Sequence, residues 1–288
     1  MTHPALQPGS VAVVTGGASG IGLAAAKRFS ALGLRVCIAD LGAERLARAA
    51  AAITGTGAAE VLALEIDVGE VEDLRRLEAA VRARFGGTDV LMNNAGIQPG
   101  SSVLPTSKES AGSWERVLRV NLWGVIHGTQ VFAPAMIERG RPGLIINTGS
   151  KQGITTPPGD PAYNVSKTGV KAFTEALQHE LRNTPGHQLS AHLLIPGFVW
   201  TELVARGRTE KAKGAWTPEQ TVDFMLARLE AGDFYILCPD DEVPRALDER
   251  RILWAAGDIV ENRPPLSRWH PDYAEAFATF LRAPTEKR

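Results

Sequence analysis

Tyr163 and Lys167 stand four residues apart in the stretch YNVSK, at the start of an amphipathic helical pattern. Positions i and i+4 share one face of a helix, so the phenol and the ammonium can converge on one point. An ammonium beside a phenol favours the phenolate, which is the form that accepts a proton. The spacing is common, however, and the alternative is a surface tyrosine over a solvated lysine. The surrounding elements have to decide between these two interpretations.

A glycine-rich turn, TGGASGIG at residues 15–22, joins the first strand-like run to the first helical pattern. Gly16, Gly20 and Gly22 allow the backbone to turn tightly and to approach a ligand closely. The helix that follows offers free N–H groups and the positive end of its dipole to a pyrophosphate. The spacing GxxxGxG is wider than GxGxxG, but its place between a strand and a helix favours a dinucleotide site over a plain turn.

Acidic residues close the second and third strand-like runs. Asp40 either accepts hydrogen bonds from both ribose hydroxyls of an adenosine, and so repels a 2′-phosphate, or is a solvated strand-end carboxylate. No Arg or Lys stands between Gly16 and Gly22, or after Asp40 before Arg45, so the sequence favours NAD over NADP. Asp67 either meets the adenine amino group or caps the next helix.

Short apolar runs alternate with longer helical patterns along the chain. Apolar runs separated by helices indicate a parallel sheet covered on both faces. Right-handed crossovers then give an α/β fold, a doubly wound, Rossmann-like parallel sheet of about seven strands. A Gly/Pro-rich loop at 155–161 precedes the Tyr163 helix. The strand-like runs lie at 10–15, 34–40, 60–67, 88–96, 143–150, 189–197 and 234–239, and one long helical stretch runs from Trp114 to Gly140.

The composition limits the class of protein. The chain has 288 residues, 44% of them hydrophobic, and a formal net charge of -1. This supports a substantial core and gives no reason to expect nucleic acid or a membrane as partner. Cys37 and Cys238 lie in apolar runs, which predicts buried free thiols and a reducing compartment. No signal peptide or membrane-length apolar run is visible, so a cytoplasmic protein is expected.

The whole chain, residues 1–288, is predicted to form a single Rossmann-like domain. Residues 1–150 are expected to form mainly the cofactor-binding half. Residues 151–288 are expected to hold the Tyr163 helix, a substrate cap at about 198–232 and a C-terminal arm at about 240–288. The arm is rich in aromatic residues and is expected to cover either a substrate pocket or a subunit interface.

Five motifs occur along the chain in the order found in one known family. TGGASGIG, NNAG at 93–96, Asn121, Ser150 and YNVSK together resemble the short-chain dehydrogenase/reductase family, over roughly residues 8–201. Each motif is weak alone, but the set is highly specific. The resemblance implies an NAD-dependent oxidoreductase that interconverts a secondary alcohol and a ketone. It places the family's catalytic tetrad at Asn121, Ser150, Tyr163 and Lys167.

The resemblance also implies a role for each member of the tetrad. A free tyrosine has a pKa of about 10, too high for a good base at neutral pH. The Lys167 ammonium and the positive nicotinamide ring would both favour the phenolate, so that Tyr163 takes the alcohol proton while hydride leaves for NAD. Ser150 would hydrogen-bond the substrate oxygen. Lys167 would also bond the nicotinamide ribose, and Asn121 would hold a water that relays protons from Lys167 to solvent.

A cofactor site follows from the same resemblance. NAD is the expected cofactor, NADP is less favoured, and no metal is expected. Asn93 is expected to be structural, and the segment PGFVWT at 196–201 is expected to hold the nicotinamide amide. The expected cofactor-binding residues are Gly16, Ala18, Ser19, Gly20, Ile21, Gly22, Asp40, Asp67, Val68, Asn94, Ala95, Gly96, Tyr163, Lys167, Pro196, Gly197, Val199 and Thr201.

The substrate is only bounded by the sequence. Aromatic residues near the expected pocket favour a partly apolar secondary alcohol or ketone of medium size. Sugar alcohols, hydroxy acids, steroids and lignin-derived aryl alcohols all stay open. Lys151 and Gln152 either pair a carboxylate or hydroxyl of the substrate or, for Lys151, point to solvent. The pocket is expected to include the loop through Asp160, the cap at 201–216 and the residues Gln98, Lys151, Gln152, Phe198 and Trp200.

A homodimer or homotetramer is expected as the assembly. The chain departs from the family's usual short, Gly-rich end, so a dimer through two long helices, at about 113–138 and 161–183, is the favoured arrangement. Two other functions stay open on the same fold. One is a non-catalytic dinucleotide sensor, which the presence of both Tyr163 and Lys167 disfavours. The other is an NAD-using isomerase or dehydratase, which forms product with no net change in NADH.

Overall fold

The computed structural model describes residues 3–57, 60–104, 108–205 and 207–283. The ends of the predicted domain at 1–2 and 284–288, and residue 206 in the predicted cap, lie outside the described residues. In the described ranges no helix combines the length and the apolar character needed to cross a membrane. The same ranges contain no group of three or more His, Cys, Asp or Glu side chains arranged to hold a metal ion.

Within the described residues, seven strands form one parallel sheet. They are β1 (Val11–Thr15), β2 (Arg35–Asp40), β3 (Val61–Glu65), β4 (Val90–Asn93), β5 (Gly143–Thr148), β6 (Leu189–Ile195) and β7 (Tyr235–Leu237). Their order across the sheet is β3-β2-β1-β4-β5-β6-β7, so the chain reverses its direction across the sheet between β1 and β4. In such a sheet, ligands bind at the carboxyl ends of the strands beside this switch point. The doubly wound sheet predicted from the sequence is confirmed.

Helices cover both faces of the sheet. They are α1 (Gly20–Ala31), α2 (Ala43–Thr54), α3 (Val71–Phe85), α4 (Lys108–Leu118), α5 (Gly124–Glu138), α6 (Gln152–Thr155), α7 (Pro161–Asn183), α8 (Glu202–Ala205), α9 (Pro218–Glu230), α10 (Arg245–Val260) and α11 (Ala274–Arg282). The side chains of β1 alternate between two cores, as the two-residue period of a strand requires. Ala12 and Val14 pack with α1, α2 and α9, whereas Val11 and Val13 pack with α3 and α5. Both cysteines are buried and free, as predicted.

The long helix predicted from Trp114 to Gly140 is interrupted in the structure. α4 ends at Leu118, residues Arg119–Trp123 form a π-helical turn, and α5 continues from Gly124. Such turns inside α-helices are frequent at functional sites. The turn contains Asn121, which is fully buried. Hydrophobic periodicity gave no sign of it, because a single wide turn hardly alters the apolar pattern.

The C-terminal arm, residues 240–283, consists of α10, two short 3-10 turns (Ser267–Trp269 and Pro271–Tyr273) and α11. Trp254 of α10 is buried, and its ring centroid lies 5.2 Å from those of both Phe277 and Phe280. The guanidinium of Arg263 lies 4.0 Å above the Trp254 ring. α10 also contacts α6, the short helix that follows Ser150. The two phenylalanines of α11 therefore pack on Trp254, and the arm contacts the segment that follows Ser150.

Candidate active site

A cleft of about 420 Å³ runs along the carboxyl ends of the strands. Its walls come from the glycine turn, the ends of the central strands, the start of α7 and the segment from Pro196 to Val204. Every predicted cofactor-binding residue lines this cleft except Ala18 and Gly22. The Ala18 N–H donates to Asp40, and Gly22 packs against the Gly16 carbonyl. Both residues therefore contact residues that line the cleft without lining it themselves.

The glycine turn has a geometry that requires glycine. Gly16 and Gly20 have positive φ angles of 64° and 51°. A Cβ on Gly16 would lie 2.8 Å from the Ala95 Cα, and a Cβ on Gly22 would lie 2.1 Å from the Gly16 carbonyl oxygen. Ser19, the N-cap of α1, makes no side-chain capping bond. The first N–H groups of the helix therefore remain available to an anion in the cleft.

Asp40 ends β2 and is tightly held. Its Oδ2 accepts from the Ala18 N–H at 3.0 Å, and its Oδ1 accepts from the Leu41 N–H at 2.8 Å and from the Arg45 guanidinium at 2.7 Å. Arg45 lies 3.6 Å from Glu202 on the opposite wall of the cleft. Arg45 follows Asp40 by five residues, and the preference for NAD was predicted without a contact between them. The turn after β2 brings it directly beside Asp40 and partly neutralises the carboxylate.

Asp67 follows β3 and lines the cleft, where it contacts an arginine. Its Oδ1 accepts from the Gly69 N–H at 2.8 Å, and its Oδ2 accepts from Arg119 at 3.0 Å. The next helix, α3, has Glu70 as its N-cap residue, so Asp67 closes the turn before the helix and is not its cap. The helix-capping alternative is therefore wrong, and a contact of Asp67 with the adenine amino group stays a prediction.

The two asparagines of NNAG tie strands together. The Asn93 amide donates to Asn147 at 2.9 Å and to Thr129 at 3.2 Å, entirely within the protein interior. The Asn94 amide donates to the Thr15 carbonyl at 3.1 Å and so links the end of β4 to the start of the glycine turn. Asn93 thus occupies a structural position, as expected from the motif.

Tyr163 and Lys167 lie one turn apart on α7, and both line the cleft. Their exposed fractions are 8% and 4%, which excludes a surface tyrosine over a solvated lysine. The Lys167 Nζ donates to the Thr148 carbonyl at 2.8 Å and lies 5.7 Å from the centroid of the Tyr163 ring. Pro161 begins the helix at a position where a missing N–H costs nothing.

Burial dominates the ionisation of this pair in the protein alone. Desolvation raises the pKa of Tyr163 to about 12, although a hydrogen bond with Ser150 lowers it. Desolvation also lowers the pKa of Lys167 to about 8. From the sequence, Lys167 is expected to lower the pKa of Tyr163. In the protein alone the burial of the phenol outweighs any such attraction.

Ser150 and Asn121 come from two different elements, and of the two only Ser150 lines the cleft, as far as the structure describes it. Ser150 follows β5, and its Oγ accepts the Gln152 N–H at 3.1 Å. The Asn121 side chain makes two bonds to Ile97, accepting from its N–H at 2.8 Å and donating to its carbonyl at 2.9 Å. A Cβ on Gly96 would lie 3.5 Å from Asn121 Oδ1 and 3.7 Å from Lys167 Nζ, so these two groups flank one backbone position.

The five predicted substrate-pocket residues do not line this cleft, as far as the structure describes it. Phe198 and Trp200 are instead tied to Trp216 by two backbone hydrogen bonds of 2.8 Å. Lys151 points neither to solvent nor into the cleft, because it pairs with Asp240 and Asp248. Distance along the sequence from the motifs predicts these five positions, but it does not report how the loops fold back.

Part of the predicted cap does line the cleft. Leu203 and Val204, within the predicted wall at 201–216, line it together with Ile97, which was not among the predicted residues. The loop before Asp160 lines a separate apolar groove with Leu122, Val165 and Leu266.

Comparisons with known proteins agree with this geometry. The family model described as "short chain dehydrogenase" matches residues 10–212. A 1-deoxy-11-beta-hydroxypentalenate dehydrogenase from Streptomyces exfoliatus is 32% identical over 90% of this chain and 93% of its own length. A 3beta-hydroxysteroid dehydrogenase 2 from Eggerthella lenta is 32% identical over 74% of this chain and 79% of its own length.

Solved structures extend the likeness to the fold. A short chain dehydrogenase/reductase from Burkholderia phymatum, in complex with NAD, superposes with a TM-score of 0.80 at 30% identity. The match covers 92% of this chain and 98% of that one. The matching motifs, the sheet order and the cleft at the switch point all point the same way. The chain belongs to the short-chain dehydrogenase/reductase family of oxidoreductases.

Proposed function

We propose that the protein is an NAD-dependent oxidoreductase that interconverts a secondary alcohol and a ketone. The observation that carries this proposal is the convergence of Ser150, Tyr163 and Lys167 on the same cleft as the glycine turn and Asp40. The names of similar proteins, which include two hydroxy-compound dehydrogenases, support a hydroxyl or carbonyl substrate.

The residues of the cleft fit a dinucleotide. The glycine turn carries no side chain at Gly16, Gly20 and Gly22, which suits a pyrophosphate in close contact with the start of α1. Asp40 at one end suits an adenosine ribose, and Lys167 and Thr201 at the other end suit the nicotinamide half. When bound, NAD accepts a hydride from the carbon that carries the hydroxyl.

The protein's own residues hold the substrate oxygen and move its proton. Ser150 donates to that oxygen and stabilises its developing charge. Tyr163 accepts its proton in oxidation and returns it in reduction. Because the pKa of Tyr163 is about 12 in the protein alone, positive charge must be added near the phenol before it becomes a useful base. Lys167 is already present in the protein for which this value holds, so the added charge would be that of the oxidised nicotinamide ring, and Asn121 would support a proton relay from Lys167.

The preference for NAD rests on Asp40, and Arg45 limits it. An ionised Asp40 repels a 2′-phosphate, whereas the guanidinium 2.7 Å away attracts one. Asp40 also accepts two backbone N–H groups, which fix its carboxylate at the strand end. We therefore expect NADH to bind more tightly than NADPH, with a smaller difference than an unpaired aspartate would give.

The apolar residues of the cleft support a partly apolar substrate. Leu203, Val204, Val199 and Ile97 are among the residues that line it. Small-molecule sites combine such walls with a few polar groups that fix orientation, here Ser150 and the tyrosine. We expect medium-sized secondary alcohols to be oxidised faster than polyols.

We also propose a single-domain, cytoplasmic homo-oligomer. Large apolar side chains are exposed on the two helices that are expected to form the dimer interface, and they support the homo-oligomer. Trp123 is 49% exposed and Val165 is 48% exposed, and such side chains on neighbouring helices are typical of an interface.

A turnover assay tests the proposal. Purified protein is mixed with NAD and a panel of secondary alcohols, and with NADH and the matching ketones, while NADH absorbance and product are both measured. Stoichiometric formation of NADH and ketone supports the proposal. Product without a net change in NADH would favour an isomerase or dehydratase. Tight NADH binding with no product from the whole panel would favour a non-catalytic sensor.

A further inference from the structure

Lys151, the residue after Ser150, lies at a buried charge cluster outside the cleft. Its Nζ is 2.6 Å from the Asp248 Oδ2 on α10 and 3.1 Å from the Asp240 Oδ2. The exposed fraction of the side chain is 16% for Lys151, 6% for Asp248 and 4% for Asp240. One ammonium thus holds two buried carboxylates, and removing it leaves both without their central cation.

Asp240 connects this cluster to the segment after β6. Its Oδ2 also accepts the Phe198 N–H at 3.2 Å, and its Oδ1 accepts the Val243 N–H at 2.8 Å. A Cβ on Gly197 would lie 2.5 Å from the Asp240 Oδ2 and 2.7 Å from the Lys151 Nζ. The backbone of Gly197 therefore packs directly against the ion pair, and a larger residue there would displace the Lys151 or Asp240 side chain.

The backbone of Lys151 is fixed at the same place. Its N–H donates to the Pro196 carbonyl at 3.1 Å. The Ser150 carbonyl in turn accepts the Gly153 N–H at 3.0 Å, so Ser150 is enclosed by the loop that Lys151 anchors. Side chain and backbone of one residue thus join the Ser150 loop, the 196–198 segment and α10.

We propose that Lys151, Asp240 and Asp248 form a clamp that positions Ser150 and the 196–198 segment, and that the C-terminal arm acts on the reaction through this clamp. Lys151 is a positioning residue, because it reaches the reacting atoms only through its neighbours. The expected change in kcat rests on the proposed oxidoreductase function. The coupling of the arm to the two active-site segments can be measured without a substrate.

The environment of Asp248 makes the clamp testable by substitution. Arg251 and Arg268 line the small cavity beside Asp248 and Lys151, so cations remain nearby when the lysine is removed. Burial raises the pKa of Asp248, while Lys151 and Arg251 lower it. Asp248→Asn is close in shape and needs no counter-charge, so this variant is expected to fold even if Lys151→Met does not.

The experiment compares Lys151→Met and Asp248→Asn with Arg245→Met. Arg245 lies on α10, as Asp248 does, and forms an ion pair with Glu249. The two side chains are 50% and 53% exposed, so this variant controls for the loss of an exposed ion pair on α10. For each protein we measure kcat and KM on a secondary alcohol, binding of ADP-ribose, and hydrogen exchange of the backbone amides.

The clamp predicts a specific pattern. Lys151→Met is expected to lower kcat roughly 10-fold to 100-fold, because a shift of about 1 Å in a positioned group costs about that much. Asp248→Asn is expected to lower it less. Both variants are expected to bind ADP-ribose as tightly as the wild-type protein does. Exchange rises at the amides of Gln152, Gly153 and Phe198 in both variants, with no rise in β1 or β4, and Arg245→Met changes none of these quantities.

The outcomes separate the clamp from the proposed function. A folded Asp248→Asn or Lys151→Met protein with wild-type kcat and wild-type exchange at these amides overturns the clamp. If exchange rises in all strands to the same degree, the cluster serves global stability only, which also overturns it. If the wild-type protein turns over no substrate, the proposed function fails. The exchange comparison then decides the clamp by itself.

Discussion

The cleft and the C-terminal arm are held together in different ways. The cleft buries its ionisable groups, Tyr163 and Lys167, at the ends of strands whose side chains are buried on both faces. The arm has one buried tryptophan, and α11 has no buried residue at all. The cleft is thus supported by the main core of the sheet, whereas the arm depends on a few contacts that a single substitution can remove.

The largest effect is expected from Tyr163→Phe. Removing the proton acceptor should lower kcat/KM between roughly 10²-fold and 10⁴-fold while leaving NADH binding unchanged. The measurement is steady-state oxidation of a secondary alcohol, with a fluorescence titration of NADH. Tyr235→Phe is the matched control, because Tyr235 donates to Glu175 far along α7 from the cleft. Full turnover by Tyr163→Phe would mean that another group moves the proton.

Trp254→Ala tests the arm as a separate region. Truncating this tryptophan should reduce the free energy of opening of the arm by about 3–5 kcal/mol. Native-state hydrogen exchange should then show faster exchange in α10 and α11 and no change in β1. Trp269→Ala, at a position 39% exposed, is the control and should change little. Equal destabilisation of β1 would contradict a division between arm and sheet.

Lys167→Met tests the cost of burying charge in the cleft. The pKa of Lys167 falls from 10.5 to about 8 on folding, so below pH 8 the folded protein carries a destabilising charge. Between pH 8 and 10.5 the unfolded chain binds the extra proton, so this group makes the stability rise with pH. The penalty at pH 7 is about 3 kcal/mol.

The variant should therefore be more stable than wild type at pH 7, and the difference should shrink as pH approaches 10.5. Taking the difference between the two proteins removes the contributions of the other titrating groups, including the buried cysteines. The measurement is urea unfolding at several pH values. A less stable variant at pH 7 would show that the bond from Lys167 to the Thr148 carbonyl outweighs desolvation.

Asp40→Asn is expected to have the smallest effect. Removing one carboxylate near the expected ribose site should improve NADPH binding relative to NADH about tenfold, or about 1.4 kcal/mol. Arg45→Gln should act in the opposite direction, because it removes the guanidinium that attracts a 2′-phosphate. Direct titrations of both variants with both nucleotides measure the ratio. If the ratio of NADPH to NADH affinity changes in neither variant, other residues of the cleft discriminate between the two nucleotides.

The sheet and the cleft were accessible from the sequence because local signals marked them. β-branched runs gave all seven strands, and glycines that cannot carry a Cβ marked the turn after β1. The π-helical turn at Asn121 left no trace in the apolar periodicity. The contacts of Arg45 and Lys151 depend on how loops fold back, Lys151 reaching an aspartate 89 residues away, and no spacing rule reports such a pair.

The most direct test of the account is a titration of the purified protein with NADH and, separately, with NADPH, following energy transfer from protein to cofactor. We expect saturable binding of both nucleotides, with NADH the tighter. Asp40→Asn should narrow the difference between the two affinities. Tighter binding of NADPH would contradict the role given to Asp40. Binding of neither nucleotide would contradict the assignment of the cleft as a dinucleotide site.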